Sequence, residues 1–228
     1  MSAQKTAAKG GLLTLTLTVV LTLTGCGGGG EGTIDVPRSV TTQILSDSRF
    51  DGDIEQTSPT SYTVTQGMSS AVQTVFAGID PAGGTEFRAF LDFPLGGSGG
   101  VPADADIDEA SLEIYIDDLQ PITGRLPIRV DLVAFQPPTL IADDFSRTLQ
   151  PALASVIVTP DITQADVGTF VPIDVTSLMV EAQRRGLDDF QVRIMEDLGP
   201  AIPVLMIIDD STGSNRSTRA PLLTVTYF

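Results

Sequence analysis

Apolar and polar side chains alternate with a period of two along much of the chain. Phe87, Ala89, Leu91 and Phe93 alternate with Arg88, Phe90 and Asp92. Ala110, Leu112, Ile114 and Ile116 alternate with Ser111, Glu113, Tyr115 and Asp117. The same rhythm returns at Ile128–Ala134, Phe190–Met195 and Leu223–Tyr227. Such alternation predicts strands with one face buried and one face wet. Gln73–Ile79 and Val204–Ile208 are shorter, more continuous apolar runs and read as central strands. Glycine and proline punctuate the gaps, at Gly83-Gly84, Gly96–Gly100, Pro137-Pro138 and Gly199-Pro200. One helix is predicted after Asp174: Asp174 or Thr176 caps it, Leu178, Met179 and Ala182 form its apolar stripe, and Gly186 ends it. Arg184 and Arg185 suit the negative end of its dipole. Asp144–Val158 reads as loop with a helical turn. The pattern predicts one all-β domain, a sandwich or barrel, over residues 40–228.

The first 26 residues read as an address rather than as part of that domain. Lys5 and Lys9, the only lysines, precede an apolar stretch of 12 residues from Leu12 to Leu23. A spanning helix needs roughly 20, so this is the core of a signal peptide. Leu23-Thr24-Gly25-Cys26 then resembles the bacterial lipobox, a Leu, two small residues and a Cys. That resemblance implies cleavage after residue 25 and diacylglycerol attachment at Cys26. The lipid, through its buried methylenes, would hold the protein at the membrane of an exported cell-envelope lipoprotein. Gly27 after the Cys resembles the outer-membrane sorting pattern where an organism has two membranes. Residues 26–39, with glycines at 27–30, read as a flexible tether.

Charge and composition narrow the chemistry. The chain has 29 acidic and 13 basic residues, one Cys, no His and no Trp. A net charge of −16 argues against nucleic-acid partners, whose phosphates need Lys and Arg. With no His and with Cys26 lipidated, no Ser–His or Cys–His system can be assembled. No glycine-rich phosphate loop sits between a strand and a helix. The expectation is a non-enzyme.

Four segments in order resemble the DNRLRE-type domains: Glu86–Leu95 (EFRAFLDFPL), Ile107–Tyr115 (IDEASLEIY), Val171–Leu178 (VPIDVTSL) and Arg219–Tyr227 (RAPLLTVTY). The resemblance covers about residues 46–228. It implies a jelly-roll-like antiparallel β-sandwich of the kind found on secreted and surface proteins, some of it similar to carbohydrate-binding modules. The chain departs from the best sugar platforms in having no Trp.

Candidate ligands follow from the acids. Asp47, Asp51, Asp53 and Glu55 crowd around Gly52 in what reads as a loop. Closely spaced carboxylates suit a hard, oxygen-preferring cation, so Asp47, Asp51 and Asp53 are candidate Ca²⁺ ligands. Three functions are in view. The first is a lipoprotein whose β-sandwich binds a polysaccharide or an envelope protein. The second is a structural or assembly lipoprotein with no small ligand. The third, least favoured, is a hydrolase using a carboxylate pair in a cleft. An exposed aromatic stripe, with Phe90, Tyr115 and Phe135 as candidates, would favour the first; burial of those rings would remove their sugar platform.

Overall fold

The computed structural model describes residues 38–122, 124–135, 138–197 and 202–228. Its strands are β1 (Val40–Leu45), β2 (Gly52–Ser58), β3 (Ser61–Gln66), β4 (Thr74–Ile79), β5 (Glu86–Pro94), β6 (Ile107–Gln120) and β7 (Arg125–Leu126). They continue as β8 (Ile128–Val133), β9 (Ala154–Ile157), β10 (Ile162–Thr163), β11 (Phe170–Asp174), β12 (Asp189–Glu196), β13 (Leu205–Asp209) and β14 (Leu222–Tyr227). Helix α1 spans Thr176–Arg185, and a helical turn, α2, spans Arg216–Arg219. Among the described residues no helix is long and apolar enough to cross a membrane.

All but β7 and β10 join one curled antiparallel sheet, ordered β1-β14-β6-β13-β4-β5-β12-β8-β9, with β11 on β6 and the β2–β3 hairpin on β5. The curl folds the sheet on itself, so the protein is an all-β, sandwich-like domain, as the alternation predicts. Its core takes the apolar set of each strand: Leu91 and Phe93 of β5, Leu112 and Ile114 of β6, Val130 of β8, Val192 of β12 and Val225 of β14. Each such side chain contributes roughly 1.5–3 kcal/mol on burial. Helix α1 adds Leu178, Met179 and Ala182 to the same core. The N-cap is Val175, which has no capping side chain, and not Asp174 or Thr176; Asp174 sits one residue earlier and accepts the Thr176 N–H at 2.9 Å. Gly186 closes the helix in the left-handed region, φ 66°.

The polar parity of β5, β12 and β8 is not wet. Ile54, Phe90, Val133 and Phe135 form a second, smaller cluster, roofed by Leu140 and Phe145 of the segment that follows β8. That segment also corrects the sequence reading, which gave a loop with a helical turn: beyond the 3₁₀ turn over Ala142–Phe145 it holds a strand, β9. A second correction concerns the acids near Gly52. The loop ends at Asp51, and Asp53 and Glu55 lie inside β2, because Ile54 is buried and both edges of β2 are paired.

Candidate functional site

Cys26 lies outside the described residues. Asp47, Asp51 and Asp53, read above as one cation-binding set, take three separate roles. The Asp47 carboxylate accepts from the Arg49 side chain, whose hydrogen bond holds it below its usual range. Asp51 is buried and meets Asp210, just past β13. Asp53 faces a surface cleft. Among the described residues no group of three or more acidic side chains converges to hold a metal.

The aromatic stripe divides in the same way. Phe90 and Phe135 are buried edge to face, ring centroids 6.0 Å apart, under the covering segment. Tyr115 is half-buried, edge-on to Phe170 at 5.3 Å and 4.9 Å below the Arg219 guanidinium carbon. None of the three is an open platform.

Beneath the covering segment lies a buried ion pair. The Arg193 side chain is fully buried and donates to Asp131 Oδ2 at 2.8 Å. It also donates to the carbonyls of Asp144 and Gln150, so it ties that segment to β12. Burial alone would raise the Asp131 carboxyl; hydrogen bonds from Ser155 and Arg193 and the Arg193 charge hold it below its usual range.

Two surface cavities flank the start of β5, one on each face. The first, of 270 Å³, holds Gln56, Tyr62, Glu86, Arg88 and Arg147. Its polar groups largely satisfy one another. Arg88 donates to Glu86 at 2.7 and 2.8 Å, to the Phe145 carbonyl, and stacks on the Phe145 ring at 3.9 Å. Gln56 donates to the Tyr62 hydroxyl at 3.0 Å. These contacts anchor the covering segment.

The second cavity, of 370 Å³, is lined by Asp53, Glu55, Thr65, Gln73, Thr74, Phe76 and Phe87. Strand register builds it. Thr63, Glu55 and Phe87 lie directly across one another on β3, β2 and β5, and Thr65 and Asp53 form the neighbouring row. Phe76 comes from β4, which pairs with the start of β5 through Gly78 and Phe87. The rings of Phe76 and Phe87 are 5.6 Å apart, tilted by 50°, and half-buried. Asp53 is only 3% exposed. Burial pushes its carboxyl up to about 7; the Phe76 N–H opposes this and the Glu55 charge adds to it. The cleft thus joins an apolar ring pair to carboxyl, hydroxyl and amide groups, the mix of apolar surface and placed polar groups that small-molecule sites use. Sequence reading placed Phe87 with the core residues of β5 by parity. Its position before the core begins, and its meeting with Phe76, depend on long-range pairing that no local pattern carries.

A further cavity of 340 Å³ lies beside the end of α1, walled by Gly96, Gly97, Gly100 and Val101. Gln183 and Asp188 are the polar side chains there.

Comparison with known proteins finds no family model and no curated protein that matches the chain.

Proposed function

We propose that the chain is a lipid-anchored cell-envelope lipoprotein whose non-catalytic β-sandwich binds a polysaccharide in the cleft of Phe76, Phe87, Asp53 and Glu55. The observation that carries the reading is the half-buried Phe76–Phe87 pair beside two carboxyl groups and two threonines. Rings of this kind cover the apolar face of a sugar, and the polar groups accept and donate to its hydroxyls. The lipobox-like Leu23–Cys26 segment and the four DNRLRE-like segments support the envelope location and the class of ligand.

A glycan-array screen of the chain tests the proposal. Retention of one polysaccharide class is the expected result. A second reading, a structural or assembly lipoprotein with no small ligand, is favoured by the burial of Phe90 and Phe135. An array without signal would support that reading against the first.

A further inference from the structure

The oxygens around Asp51 are used unevenly. Asp51 Oδ1 accepts the Asp92 N–H at 2.7 Å, and Asp210 Oδ1 faces Arg216 Nη1 at 3.4 Å. The other oxygen of each carboxylate has no hydrogen-bond partner, and neither has the Ser46 hydroxyl. All three residues are at most 2% exposed. The Ser46 hydroxyl and the Asp210 carboxylate both lie against Asp51. Three oxygens without a satisfied hydrogen bond, two from the β1–β2 turn and one from just past β13, therefore lie together in the dry interior. Buried polar atoms without a partner are rare enough to need a physical reason. In each carboxylate one oxygen is held and the other is left open, which is how supporting groups orient metal ligands.

We propose that Ser46 Oγ, Asp51 Oδ2 and Asp210 Oδ2 are the side-chain part of a buried Ca²⁺ site. An all-oxygen donor set selects a hard cation. Charge points the same way: among the described residues Asp51 has no ion-pair partner, and Asp210 has one, the Arg216 guanidinium at 3.4 Å. Arg216 also donates to the Ser46 carbonyl, so it frames the site from outside without filling it. The ion would tie the β1–β2 turn to the segment after β13. Asp47 and Asp53 take no part.

Calorimetric titration of Ca²⁺ into the detergent-solubilised full chain, after EGTA treatment, tests this. Saturable binding of a single ion per chain is expected, with a rise in Tm on Ca²⁺ addition. Ser46→Ala should weaken binding roughly tenfold, and Asp210→Asn should abolish it. If Asp210→Asn fails to fold, the wild-type and Ser46→Ala titrations still decide. Absence of saturable binding to the wild-type chain would overturn the site and leave a proton shared by the two carboxyls as the neutralising charge. Binding unchanged in Ser46→Ala and Asp210→Asn would place the ion elsewhere and overturn it equally.

Discussion

Buried charge is the feature at the residue scale that stability depends on most sharply. Arg193 and Asp131 are both fully buried and bonded to each other. Removing one partner strands the other in a dry interior, so Asp131→Leu should cost about 3–5 kcal/mol in chemical denaturation. Arg193→Met combined with Asp131→Leu should cost less than Asp131→Leu alone, because no fully buried charge is left unpaired; Arg129 and Arg147, which also meet Asp131, are partly exposed, and Arg129 keeps Asp197. An additive double mutant would contradict the pairing. Glu196 gives a pH dependence. Burial, then the Glu86 charge, pushes its carboxyl up from 4.5 to about 7. The folded state therefore keeps a proton that the unfolded state releases. This contribution to stability is full below the unfolded value and is lost as pH rises toward about 7. Glu196→Gln should be more stable than wild type by about 1–2 kcal/mol near pH 8 and equal to it near pH 4. Denaturation curves of equal midpoint at both pH values would refute this. Neither effect was legible in the sequence. Arg193 and Asp131 each appeared only as a polar position in an alternating strand, and Glu196 lies just past the last alternation recognised.

Strands with a strict apolar parity are easy to read, and strands with few buried apolar side chains are not. β5, β6, β8, β12 and β14 were visible because a strict apolar parity meets one large core. The capped helix α1 was visible because its stop and start residues are local. β2 escaped notice because only Ile54 on it is a buried apolar side chain, while Asp53 and Glu55 look like loop residues. β9 escaped because its side chains are half-buried or exposed and its pairing with β8 is its main reason to be extended. The β2–β3 hairpin nevertheless builds one wall of the proposed cleft, and Gly52 decides its closeness. A Cβ at Gly52 would run into the Thr65 carbonyl oxygen of β3. Gly52→Ala should therefore destabilise by about 1–3 kcal/mol and weaken glycan binding as the hairpin shifts. Wild-type stability in that variant would show that the two strands can separate without cost.

At the scale of the whole molecule, the proposed anchor is a matter of local sequence, whereas the proposed cleft is assembled only by the fold. The proposed anchor rests on Cys26 and its neighbours. Cys26→Ser should release the protein from the membrane fraction after a carbonate wash. Retention there would contradict the lipid assignment. The cleft rests on Phe76 of β4 meeting Phe87 of β5, a contact set by the curl of the sheet. The opposite cavity offers a built-in control, since Arg88 and Glu86 there are engaged with each other and with the covering segment. The most direct measurement is calorimetric affinity for the polysaccharide retained on the array, compared among wild type, Phe76→Ala and Arg147→Ala. Binding should be roughly tenfold weaker for Phe76→Ala, equivalent to about 1.4 kcal/mol, and unchanged for Arg147→Ala. Full affinity in Phe76→Ala together with loss in Arg147→Ala would move the ligand to the other face of β5 and contradict the central claim.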